Sequence, residues 1–385
     1  MRKLISRAAA IAVGLAVSCL ALSAAQAQEL VLAQIASQTN LSSATNAKGM
    51  HVGIKAYFDS INAAGGVNGR QLKLVVRDDD LNAQKMVAQT RELIADKEVL
   101  ALVGFLNSGG LTELAKQNIP GEAGIAMIAP LQGNREIVEA ANFFPFRSGY
   151  ADEVEALIKE AKSTQKQKIA ILSYNVSFGP SAVKVAEETA KKYGLPVTGS
   201  TALTIAASEK SDAALRAAVD KIAASGADAV FVAAAGRGII DIVKLFRGSA
   251  AKNIQIYTMS VALAEELVKG TGPEMARGVV ISQAVPFPFS ATLPVVREYQ
   301  KVMKQHAPDK ELSFSSLEGF IGAKLAVEAA RRAGKEPTRE KIVDALQNLG
   351  NYDLGGVQVN YGKAARQGWN AVDLTIIGAN GKLLR

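Results

Sequence analysis

Cysteine is nearly absent: the 385-residue chain has one, Cys19. It lies in an amino-terminal segment that reads as a leader, so the remainder has no disulfide and no thiolate for catalysis or metal binding. Histidine is almost as scarce. His51 and His306 are far apart and read as helix-face and helix-end residues, not as a ligand pair. There is no G-x-S-x-G, no phosphate loop ending in G-K-[ST] and no H-E-x-x-H. Metal ligands would have to be carboxylates alone. The triplet Asp78-Asp79-Asp80 is the obvious place to look. Adjacent residues point in different directions, so it reads as a solvated turn that supplies at most one helix cap.

Long apolar runs are also missing beyond the leader. Arg2, Lys3 and Arg7 precede an apolar run from Ala8 to Leu22, and Ala25-Gln26-Ala27 follows. This is the three-part pattern of a secretory signal, with cleavage expected after Ala27 and before Gln28. The run falls short of the ~20 residues that cross a bilayer. A rival reading makes Cys19 a lipid acceptor, but Ala16 stands where a large apolar residue is usual.

A mature chain of 385 − 27 = 358 residues is too long for one ordinary core and suggests two domains. Removing the three leader bases leaves 44 − 3 = 41 Lys+Arg against 36 Asp+Glu. That modest surplus is spread along the chain and interleaved with Glu, which describes a solvated surface and no nucleic-acid footprint.

What is present is alternation. Glu29–Ala36 reads as a strand, and Met50, Ile54, Tyr57, Phe58 and Ile61 then recur at helical spacing until Gly65-Gly66. Strands are expected at 71–77, 100–105, 125–129 and 143–146, with a helix at 83–95. The alternation restarts with strands at 168–174, 197–203, 229–234 and 254–259 and helices at 180–193, 212–225 and 239–246. Short apolar strands between helices make parallel sheets covered on both faces. The carboxyl third differs: helices at 293–305, 315–333 and 339–349 precede two β segments, 357–361 and 371–377. The fold class is α/β, with two doubly wound parallel-sheet lobes.

Such sheets bind ligands beyond the carboxyl ends of their strands. Three junctions there are rich in small polar residues: Ser37-Gln38-Thr39-Asn40, Asn107-Ser108-Gly109-Gly110 and Leu131-Gln132-Gly133-Asn134. The second is the most informative. Its glycines let backbone N–H groups at a helix start approach an anion, and Ser108 adds a hydroxyl. The competing reading is a helix cap with no ligand.

One run is more specific. Ala63-Ala64-Gly65-Gly66-Val67-Asn68-Gly69-Arg70, then Leu72-Lys73-Leu74-Val75 and Asp78-Asp79-Asp80, resembles a run that marks solute-binding proteins of the leucine/isoleucine/valine-binding type, the binding subunits of branched-chain-amino-acid ABC importers. Order and spacing also agree at Gly104–Ser108, Ile128-Ala129-Pro130, Phe146-Arg147-Ser148, Ser177-Phe178-Gly179 and Gly226–Val230. The resemblance implies a type I periplasmic binding fold with three hinge crossings. Residues 28–147 and 285–360 would form the first lobe, and 148–284 and 361–385 the second. It implies a periplasmic monomer that binds a small molecule between its lobes, passes it to an ABC permease, and needs no cofactor, metal or nucleic acid.

Residue by residue, the resemblance makes Ser108, with Asn107 and Gly109, the carboxylate anchor. Gln132 and Gly133 occupy the next binding loop, where the family has a threonine. Asp152, five residues after Arg147, would hold an α-ammonium group. Phe178, with Tyr174 and Tyr150, would supply aromatic walls, and Gln38 the first-lobe loop. Two family features are missing: a tyrosine is replaced within Ala233-Ala234-Ala235, and a second acid falls near Val261. The expected ligand is therefore an amino acid or an aromatic carboxylate stacked on those rings. A sensory module of the same fold, and a carboxylate-based enzyme, are the alternatives.

Overall fold

A computed structural model describes residues 29–203, 212–362 and 368–385. The leader, its cleavage site and Cys19 lie outside the described residues. The chain is built on two α/β sheets. The first has the order β2-β1-β3-β4-β5, from Leu72–Arg77, Leu30–Ile35, Val99–Val103, Ala126–Ile128 and Phe143–Phe144. All its neighbours are parallel. β1 is buried along its whole length, as a strand covered on both faces must be.

The second sheet has the order β14-β13-β10-β9-β8-β6-β7. β6 (Ile169–Tyr174), β7 (Val197–Leu203), β8 (Ala229–Ala233), β9 (Gln255–Thr258) and β10 (Val280–Gln283) are parallel. β13 (Asp373–Ile377) then pairs antiparallel with β10, and β14 (Leu383–Leu384) with β13. Two antiparallel strands thus extend an otherwise parallel sheet. A short turn at 378–382 joins β13 to β14, which only antiparallel pairing permits; β13 itself arrives after the chain has passed back through the first half. The expected β segment at 357–361 is shorter, Gln358–Val359, and forms a ribbon with Tyr352–Asp353 instead of joining a main sheet.

The carboxyl-third helices return to the first half. Helix Phe314–Arg332 crosses helix Ala44–Ala63 with Leu317, Phe320, Ile321 and Leu325 buried beside Ile54, Tyr57 and Phe58. Gly53 and Gly319 sit at this crossing; a Cβ on Gly53 would lie 1.9 Å from the Ser316 carbonyl oxygen.

The two halves are joined where three segments meet. The Ser148 N–H donates to the Ala284 carbonyl (3.1 Å), and the Ser148 hydroxyl to the carbonyls of Trp369 and Ala371. The Trp369 N–H donates to the Phe146 carbonyl. The halves also touch at a distance from these crossings. Asn46 Nδ2 donates to the Val261 carbonyl (3.1 Å), and Gly236, at φ +51, packs against the backbone of Ser42. No described helix is long and apolar enough to cross a membrane.

Candidate functional site

Between the halves lies a cavity of about 330 Å3. Its first-half wall includes Ser42, Asn46, Leu106, Asn107, Ser108 and Gly109; Asn175, Val176, Phe178, Ala235 and Val261 face them from the second half. Tyr150, on the first turn of helix Tyr150–Ser163, closes one end.

The Ser108 loop is held by a buried acid. β3 ends at Val103, and helix Ser108–Lys116 begins five residues later. Asn107 caps that helix by accepting from the Gly110 N–H (3.1 Å). The Asn107 amide in turn donates to Asp79 Oδ2 (2.6 Å). The other Asp79 oxygen accepts from the Ser37 hydroxyl (2.5 Å) and the Leu81 N–H (3.3 Å). Asp79 is completely buried. Burial pushes its carboxyl up, and its hydrogen bonds pull it back. Reading the Asp triplet as a solvated turn is therefore wrong at its middle residue. Of three neighbours pointing in different directions, one faces inward. The N–H groups of Ser108 and Gly109 belong to the set that a helix start leaves without internal partners. Both residues line the cavity, and the Ser108 side chain lies beside the Tyr150 phenol.

Tyr150 and Phe178 form the aromatic wall, with ring centroids 4.8 Å apart and planes at 40°. Both are at least nine-tenths buried, and burial pushes the Tyr150 hydroxyl up to about 12. Gly133 makes room for this packing, because a Cβ there would lie 2.5 Å from the Tyr150 ring.

Five of the expected site residues fall elsewhere. Asp152 is exposed and does not line this cavity; its carboxylate accepts from the Gly149 N–H (3.1 Å). At the third position of a helix, that unpaired N–H is the nearest donor. Tyr174, at the end of β6, packs into the second-half core beside Gly238. Gln38 is half-buried outside the cavity, in a turn where its N–H donates to the Ala36 carbonyl. Gln132 is completely buried and, with Gly133, lines an adjacent compartment behind Tyr150 and Phe178.

Sequence reasoning also missed a buried ionic cluster at the crossings. Arg147 lies 3.5 Å from Glu153 and 3.6 Å from Glu318, with all three side chains nearly inaccessible. Glu153 accepts from the Ser260 N–H (2.8 Å) and the Ser282 hydroxyl (2.6 Å); Arg147 also donates to the Ser260 hydroxyl. Burial alone would depress the Arg147 guanidinium, but Glu318 and Glu153 hold it above its ordinary value. Burial lifts the Glu318 carboxyl to about 6, against the pull of Arg147. Glu318 is far in sequence from Arg147 and Glu153, so the three leave no local pattern. The signal available was two of the charges beside apolar runs, Arg147 after Phe143–Phe146 and Glu318 in the helix around Phe320. Among the described residues, no group of three or more His, Cys, Asp or Glu comes together to hold a metal ion.

Two α/β halves, three crossings and a cavity between them define a two-lobed ligand-binding protein. The chain belongs to the periplasmic binding protein family, whose model matches residues 33–382, and has the type I fold. An "Amino acid binding protein" from Pseudomonas aeruginosa is 24% identical over 249 residues, 61% of this chain and 65% of that protein's own length. The "Leu/Ile/Val-binding protein homolog 8" of Brucella abortus is 24% identical over 332 residues, 81% of this chain and 79% of its own. The crystal structure of an extracellular ligand-binding receptor from Verminephrobacter eiseniae superposes with a TM-score of 0.84 at 28% identity, covering 93% of this chain and 100% of that one.

Proposed function

We propose that the protein captures a small carboxylate with an apolar or aromatic body between its lobes, in the periplasm, and delivers it to an ABC permease without covalent chemistry. One observation carries this reading: Ser108 and Gly109 open a helix at a cavity that, among the described residues, no Asp, Glu, His, Lys or Arg lines. A carboxylate meets N–H groups and hydroxyls there. An α-ammonium group meets no counter-charge, and an unpaired buried charge costs several kcal/mol. Tyr150 and Phe178 offer a ring a stacking wall.

A second reading, an amino acid ligand, is favoured by what the Pseudomonas and Brucella relatives are called. A thermal-shift panel of leucine, isoleucine, valine, benzoate and phenylacetate separates the two. A ligand at a hundredfold excess over Kd adds about 2.7 kcal/mol of stability. The expected hits are the aromatic acids; hits confined to the amino acids overturn the first reading in favour of the second. Replacing Ser108 with Leu is expected to abolish binding and leave the melting temperature of the ligand-free protein within a few degrees of the parent's. Unchanged affinity by calorimetry would remove the Ser108 loop from the site.

A further inference from the structure

The wall of the first cavity contains a contact between the lobes that involves no ligand. Asn46, in the first turn of helix Ala44–Ala63, is buried. Its Oδ1 accepts from the Ser315 hydroxyl of the same lobe (2.7 Å), which settles the way the amide faces. Nδ2 is thereby turned across the cleft and donates to the Val261 carbonyl of the second lobe (3.1 Å). That carbonyl is in turn held by its own lobe. On one side of it the Ser260 N–H donates to the buried Glu153 carboxylate (2.8 Å), and on the other the Ala262 N–H donates to the Met259 carbonyl (2.9 Å). Donor and acceptor are each oriented within one lobe, and each finds its partner only in the other.

Two further contacts lie beside this one. A Cβ on Gly236 would lie 2.5 Å from Ser42 Cα, so the lobes meet there backbone to backbone, with no room for a side chain. Glu266 lies beside Thr45. Ser42, Thr45 and Asn46 therefore all touch the second lobe from the start of one helix.

We propose that Asn46 is a latch that keeps a closed population of the protein, with the lobes in contact as here, when no ligand is bound. It is a positioning residue, acting on the lobes and through them on the cavity. When the lobes part, Nδ2 and the Val261 carbonyl return to water. The latch therefore shifts the closed-to-open ratio by the worth of one hydrogen bond, about fivefold. The apparent affinity of a ligand that binds the closed form scales with the closed fraction, so the latch tightens every such ligand alike, whatever its chemistry. The measurement below uses no ligand, so the latch and the carboxylate reading stand or fall separately.

The test uses the chain from Gln28 onward, which holds no cysteine. Spin labels are placed through Lys85→Cys in the first lobe and Lys184→Cys in the second, both at exposed positions. Pulsed electron paramagnetic resonance of the ligand-free protein is expected to give two distances, the shorter being that of this structure. Asn46→Ala is expected to lower the ratio of short to long about fivefold. Ser315→Ala frees the amide to turn and is expected to lower it by less. Asn46→Asp keeps the acceptor for Ser315 and sets an oxygen against the Val261 carbonyl, so it is expected to remove the short distance. A residue that only touches ligand, or only stabilises the first lobe, leaves the ligand-free distances unmoved. A labelled parent with the long distance alone overturns the proposal, as do Asn46 variants with the parent's distribution. If neither Asn46 variant folds, Ser315→Ala decides, and a ratio equal to the parent's overturns the proposal.

Discussion

Asp79 and Glu318 are both buried carboxyl groups, and they are held in opposite ways. Asp79 is surrounded by neutral donors: a hydroxyl, an amide and a backbone N–H. Glu318 relies on an ion pair with Arg147, which Glu153 shares, and one of its oxygens has no partner. Neutral donors fix geometry, and Asp79 uses them to hold the loop that presents Ser108. A shared ion pair joins segments from both lobes but leaves one acid short of charge.

Removing the acid from the well-satisfied site should cost most. Asp79→Ala strands the Ser37 hydroxyl and the Asn107 amide, each worth ~1–3 kcal/mol when buried unpaired. The expected loss is about 3 kcal/mol of unfolding free energy in a urea titration; a loss under 1 kcal/mol would mean that the Ser108 loop does not depend on Asp79.

Glu318 should show itself through pH. Its carboxyl is raised from 4.5 to about 6 in the folded protein. Between these values the folded state holds the extra proton, so this contribution is complete below pH 4.5 and is lost as pH rises through 6. Its size is about 2 kcal/mol, at 1.36 kcal/mol per unit. Stability curves of the parent and the Glu318→Gln variant should differ by this slope between pH 4.5 and 6. Parallel curves would show that Glu318 titrates normally.

The smallest effect is expected at Asp152, whose carboxylate only caps Gly149. Asp152→Ala should cost ~0.5–1 kcal/mol, as the loss of a cap does, and leave ligand affinity unchanged. A collapse of affinity would restore Asp152 as an ammonium partner and break the contrast drawn here.

Much of the architecture was legible because it is periodic. Buried parallel strands such as Leu30–Ile35 and Ile169–Tyr174 are continuous apolar runs, and the helices between them repeat at helical spacing. The Ser108 loop was readable because its cap and glycines are adjacent in sequence. Asp152 was misplaced because its spacing from Arg147 matches the family, while the direction of a side chain depends on its own helix start. Tyr174 was misplaced because an aromatic at a strand end can face either the cleft or the core. The Arg147 cluster stayed hidden because Glu318, Ser260 and Ser282 lie far in sequence from Arg147 and Glu153 and meet them only when the fold is complete.

The crossing of helices Ala44–Ala63 and Phe314–Arg332 has a consequence for assembly. An early helix finds its partner about 270 residues later. Its apolar face stays uncovered until nearly the whole chain is available, so the first lobe cannot finish folding as synthesis proceeds. Loop closure over such a separation makes folding slow and the partly folded chain prone to aggregation. A chain truncated before residue 314 would keep its first sheet's strands and lose the helix that covers Ile54, Tyr57 and Phe58.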